Sequence, residues 1–95
     1  MEITRSNLVR SGAGRDKGKL FAVLAEEGEY LLLADGKSRK VESPKRKKRR
    51  HVILEADGIE KLSNRNNSEE SITNSELRKA LAVYRDEVHH PDQEG

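Results

Sequence analysis

Two short apolar runs, residues 20–25 and 30–34, constrain the fold more than any other part of this chain. Each is flanked by turn signals, and only Glu26-Glu27-Gly28-Glu29 separates them. They read as the two arms of a hairpin. Both are apolar on both faces. Phe21, Val23 and Ala25 alternate with Leu20, Ala22 and Leu24, and Tyr30, Leu32 and Ala34 alternate with Leu31 and Leu33. A strand with one face in water alternates apolar with polar residues. Something must therefore cover the outer face of this hairpin.

Further short strands surround it. Residues 8–10 form a brief first strand. Asp35-Gly36 follows the second apolar run as a tight-turn dipeptide, and residues 37–41 read as the returning strand. Pro44 interrupts pairing. Residues 51–54 make a last strand before Asp57-Gly58. Five short strands with tight turns predict a mainly β fold, a small closed or half-closed barrel.

The chain has 95 residues, 33% of them apolar and 38% charged, which leaves room for one domain with appendages. A core drawn from roughly 50 to 60 residues is at the lower limit for independent folding. There is no cysteine, so disulfides and thiolate metal sites are excluded. No apolar run approaches the roughly 20 residues of a membrane-spanning helix. Residues 1–6 lack a signal-peptide stretch and are expected to fray. A soluble, cytoplasmic monomer is the expectation.

The net charge of +2 conceals a partition. Residues 1–50 carry 14 Lys and Arg against 7 Asp and Glu, whereas residues 51–95 carry 5 against 10. The halves thus stand at +7 and −5. The first half attracts a polyanion and the second repels one.

Between residues 11 and 20 lies a glycine-punctuated loop. Gly12, Gly14 and Gly18 permit tight backbone turns, and Arg15, Asp16 and Lys17 are displayed at its tip. A phosphate-cradling nucleotide loop would need glycine where Ala13 stands and Ser or Thr where Leu20 follows Lys19. The match fails. Asp16 is expected to bond within its own loop. The densest charge is Lys45-Arg46-Lys47-Lys48-Arg49-Arg50. With Lys37, Arg39 and Lys40 it places nine cations in fourteen residues, opposed by Glu42 alone. Like charges at this density do not help folding. Binding to a polyphosphate backbone is the leading reading, beside a solvated loop or a nuclear-localisation run. If six of these cations met phosphates, the log–log salt slope would be roughly −4 to −5. Not all six can face one way, so that figure is an upper bound. Aromatics are confined to Phe21, Tyr30 and Tyr84. Such scarcity disfavours single-strand stacking and favours a structured RNA backbone.

Ala13-Gly14-Arg15-Asp16-Lys17-Gly18, the preceding Val9-Arg10-Ser11, the following Leu31-Leu32-Leu33-Ala34-Asp35-Gly36, the basic run and His51 together resemble the small bacterial KOW-domain RNA-binding proteins. These are in turn similar to a large-subunit ribosomal protein of archaea and eukaryotes. The resemblance covers residues 8–54. Asn7 and Leu8 depart from it, standing where a glycine-led first strand is expected. The resemblance implies an SH3-like barrel that binds RNA, ribosomal or ribosome-associated.

Residues 61–72 are polar and read as a flexible linker. Thr73 with Glu76 makes a capping box, and Ile72 with Leu77 a hydrophobic staple. Leu77, Leu81, Tyr84 and Val88 then recur at helical spacing, before His89-His90-Pro91 ends the helix. His89 and His90 with Asp86 and Asp92 carry metal-ligand chemistry, but adjacent histidines near a terminus read as incidental.

The expected organisation is residues 1–6 frayed, 7–56 barrel, 57–72 linker, 73–90 helix and 91–95 tail. The expected function is non-catalytic RNA binding, with no cofactor and no metal. Arg15, Lys17, Gly18, Lys19, Lys37, Arg39, Lys40, Lys45, Arg46, Lys47, Lys48, Arg49 and Arg50 are the expected contacts. The alternative is a protein-interaction module of the transcription or translation machinery. Its helix face of Leu77, Leu81, Tyr84 and Val88 would dock a ribosomal or transcription protein, unless that face packs on the barrel.

Overall fold

The computed structural model describes residues 3–58 and 72–89, the last three of these by backbone alone. Five strands, β1 (Leu8–Ser11), β2 (Leu20–Glu27), β3 (Tyr30–Ala34), β4 (Lys45–Lys48) and β5 (Val52–Ala56), form one sheet in the order β4-β3-β2-β1-β5. Every neighbouring pair is antiparallel. A single 3₁₀ turn, Arg49–His51, links β4 to β5, yet these strands lie at opposite edges of the sheet. The sheet is not closed into a barrel. One helix, α1 (Asn74–His89), completes the described elements.

The doubly apolar strands are explained by two cores, one on each face of the sheet. Val9, Phe21, Val23, Leu31, Leu33 and Val52 pack together with Ile3 on one side. Leu8, Leu20, Ala22 and Ala34 pack on the other, against Ile72, Leu77 and Leu81 of the helical segment. The period-2 alternation of β2 and β3 thus sorts apolar side chains onto both faces. Leu77 and Leu81 are buried completely or nearly so, each stabilising the packing by about 2 kcal/mol. Residues 59–71, most of the expected linker, lie outside the described residues, as do the tail and the side chain of Val88.

Local chemistry fixes the ends of these elements. Thr73 Oγ1 accepts from the Glu76 N–H (3.1 Å), and Glu76 Oε1 accepts from the Thr73 N–H (3.0 Å). The capping box is therefore made in both directions. In β2 the register shifts between Val23 and Ala25, with Leu24 as the extra residue. A second shift, opposite Leu8 and Val9, leaves Glu55 as the extra residue of β5. Bulges redirect side chains; here Glu55 receives both Arg10 and the Tyr84 hydroxyl of α1.

Several expectations need correction. The hairpin loop expected over residues 26–29 is a two-residue turn, because Glu26 and Glu27 still pair with Leu31 and Tyr30. Residues 37–41 are not a strand. The Asp35 carboxylate accepts from the Lys37 N–H, the Arg39 N–H and the Ser38 hydroxyl, and the Arg39 carbonyl accepts from Asp35 and Gly36. Backbone groups that a ladder would need are used inside the loop. The fourth strand is instead the basic run Lys45–Lys48, starting just after Pro44. It is an edge strand, where charged side chains and a nearby proline block further pairing. Residues 3–6 are not frayed: Ile3 is buried, the Ser6 N–H donates to Val23 (2.8 Å), and Arg49 donates to the Ile3 carbonyl (2.6 Å).

Candidate nucleic-acid interface

The loop between β1 and β2 is built on Ser11, Gly14 and Gly18. The Ser11 N–H donates to the Lys19 carbonyl (3.0 Å), and the Ser11 carbonyl accepts from the Gly18 N–H (2.8 Å). Gly14 and Gly18 have φ of 88° and 90°, a region in which a side chain is costly. Gly12 donates to the His51 carbonyl (2.7 Å), which ties the loop to the 3₁₀ turn. Arg15 and Lys17 stand exposed at the tip.

Asp16 organises this loop by reaching outside it. Its Oδ1 accepts from Ser11 Oγ (2.8 Å) and from Lys47 Nζ (3.0 Å). Lys45 Nζ lies 3.3 Å from Oδ2, an ionic contact without the alignment of a hydrogen bond. Burial alone would raise this carboxyl, but Ser11, Lys47 and Lys45 outweigh it and hold it at about 2. The expectation that Asp16 bonds within its loop is thus incomplete, since its cationic partners come from β4. Lys47 also donates to the Ala13 carbonyl (2.8 Å), and only 10% of its side chain is exposed.

Strand alternation divides the basic run. Lys45 and Lys47 turn toward Asp16. Arg46 pairs with Glu27 (3.2 Å) and lies 3.8 Å from the Tyr30 ring centre, with Lys48 on the same ring at 5.9 Å. Arg49 donates to the carbonyls of Ile3 and Gly28 and to Glu26. The Glu26 carboxyl is held below its ordinary value, first by the Arg5 N–H and then by Arg49. Lys47 and Arg49 therefore hold the fold together. Arg50 is exposed on the 3₁₀ turn. The run is not one phosphate-facing surface.

A different grouping takes shape between the two loops. Arg15, Lys19, Arg39 and Lys45, all expected contacts, line a depression of about 270 Å³ together with Asp16, Phe21 and Ser38. Lys19 Nζ donates to Ser38 Oγ (3.1 Å), and that hydroxyl donates to Asp35 (2.8 Å), which links the loops directly. Burial pushes the Asp35 carboxyl up, but the Arg39 and Lys37 N–H groups and Ser38 bring it below its ordinary value. It stays ionised and keeps the loop folded. Lys17, Lys37 and Lys40 are exposed on the same two loops.

Sequence reasoning missed Ser38 and Asp35. The Asp-Gly-Lys-Ser order of residues 35–38 was the available signal, since an Asp often bonds backbone two residues onward. Asn74 and Arg78 of α1 also bond this loop, at Val41, Glu42 and Gly36, which no local pattern could reveal. Among the described residues, no group of three or more His, Cys, Asp or Glu is placed to hold a metal ion, and no helix is long and apolar enough to cross a membrane. His90 and Asp92 of the histidine–aspartate cluster, and the side chain of His89, lie outside those residues. No protein-family model matches the chain, and no curated protein matches it.

Proposed function

We propose that this chain is a non-catalytic RNA-binding module of the SH3-like, KOW type, gripping the backbone of a structured RNA. Ribosomal or ribosome-associated RNA is the class that the sequence resemblance implies. The reading is carried by the convergence of Arg15, Lys19, Arg39 and Lys45 from three separate segments on one depression. Asp16 and the neighbouring Asp35 do not balance four cations, and phosphate contacts favour such a cluster. The five-stranded antiparallel sheet and the short link between β4 and β5 support this reading at the level of a mainly β fold. The helix-docking alternative loses its main surface, because Leu77 and Leu81 are buried against the chain's own sheet.

The test is a salt titration against a synthetic RNA hairpin. Four phosphate contacts give a log–log slope of about −3 to −4. Replacing Arg15, Lys19 and Arg39 with Ser should weaken binding across sequences and reduce the slope by about 2 to 3. Replacing Arg46 and Lys48 with Ser, on the Tyr30 side, should leave the slope nearly unchanged. Equal effects from the two sets would refute the depression as the centre of contact.

A further inference from the structure

We infer that α1 positions the Arg39 wall of the depression, so that Asn74 and Arg78 serve RNA binding although neither lines the depression. The inference rests on the RNA-binding reading and adds residues that no sequence motif marks. Residues 36–43 lie between β3 and β4 and pair with no strand. Asp35 folds the near half of this loop. The helix holds both of its ends.

At the near end, Arg78 donates to the Gly36 carbonyl (2.7 Å). Gly36 has φ of 79°, and a Cβ there would lie 2.5 Å from the Asn74 carbonyl oxygen and 3.1 Å from Arg78 Cγ. Loop and helix approach each other so closely that only glycine fits. At the far end, Asn74 Oδ1 accepts from the Val41 N–H (2.8 Å), and Asn74 Nδ2 donates to Glu42 (2.8 Å). Val41 also packs on the core that α1 completes. Lys37, Ser38, Arg39 and Lys40 sit between these two anchors.

An unanchored loop must be ordered when it binds, which costs backbone entropy at every residue fixed. Anchoring it beforehand removes that cost from the binding step. The first turns of α1 thus act as positioning residues for Arg39, and the helix couples its own docking to affinity for RNA.

The test uses the full chain and a synthetic RNA hairpin, titrated over a range of salt. Arg78→Ala and Asn74→Ala should each weaken binding by roughly 5-fold, the low end for coupled sites. Each should also lower the salt slope by about 1, as one phosphate contact is lost. In the free proteins the Arg39 amide, whose acceptor Asp35 is untouched, should exchange faster. Arg78→Lys, which keeps a donor for the Gly36 carbonyl, should restore affinity and slope. Val23→Ala, in the core on the sheet face opposite α1 and away from the loop, controls for general loss of stability. The inference is overturned if Arg78→Ala and Asn74→Ala bind with wild-type affinity and slope, or if folded Val23→Ala weakens binding as much as they do. Absence of salt-dependent binding by the wild type overturns the RNA reading itself.

Discussion

Replacing Asp16 with Asn removes the carboxylate on which the β1–β2 loop and β4 converge. The folded pKa of about 2 stands against an ordinary value of 3.8. That difference corresponds to about 2 kcal/mol of stabilisation from the ionised form. Asp16 lines an open surface depression, so solvent screening trims this figure and about 2 kcal/mol is its upper bound. Because the folded pKa is depressed, the contribution is complete above the unfolded value and is lost as pH falls toward about 2. Asp35 and Glu26, also lowered, act in the same direction. At pH 7 Asp16→Asn keeps an oxygen for Ser11 and Lys47 but leaves Lys47 largely buried without a counter-charge, so a loss of about 2–3 kcal/mol is expected. For a domain of this size that is a fall of roughly 8–24 °C in Tm. Urea unfolding of both proteins between pH 2 and pH 7 is the assay. The wild-type profile should drop more steeply with acid, by about 2 kcal/mol in total, and the two curves should converge near pH 2. Parallel profiles, or equal stability at pH 7, would show that Asp16 does not bind β4 to the loop as described.

Two further outcomes follow from the packing. Gly36→Ala should lower the urea midpoint well beyond Gly28→Ala. Both positions have positive φ, at a cost of about 1–2 kcal/mol, but Gly28 has open space around it while Gly36 meets α1; equal midpoints would mean that the helix does not rest on the loop. Leu81→Ala should cost about 2–5 kcal/mol, whereas Val83→Ala, at a site 52% exposed, should be nearly neutral; chemical denaturation monitored by circular dichroism separates them, and a neutral Leu81→Ala would mean that α1 is not part of the fold.

The sequence by itself determined the local elements. The apolar runs of β2 and β3, the glycine-dependent turn before β2 and the Thr73–Glu76 capping box each depend on residues within a few positions of one another. Their periodicity or turn chemistry acts over that same short range. The need for a cover over the outer face was legible too, because an apolar residue at every strand position cannot be satisfied by one core. The cationic character of the first half was equally plain, and Arg15, Lys19, Arg39 and Lys45 were all in view as charges. What tertiary structure decided was where those charges point and what they meet. The run at residues 45–50 looked like one basic surface. As an edge strand it alternates, so Lys47 turns to Asp16, Arg46 to Tyr30 and Glu27, and Arg49 beyond it reaches the Ile3 carbonyl. A carboxylate some thirty positions away chooses between those outcomes, and no local pattern encodes that distance. The same holds for Asn74 and Arg78. Their roles exist only because a helix buries Leu77 and Leu81 on the sheet and thereby brings its first turn onto a loop remote in the chain. Apolar burial is non-directional and sets which faces meet; the hydrogen bonds and ion pairs that then form are fixed by that meeting, not by the neighbours in sequence.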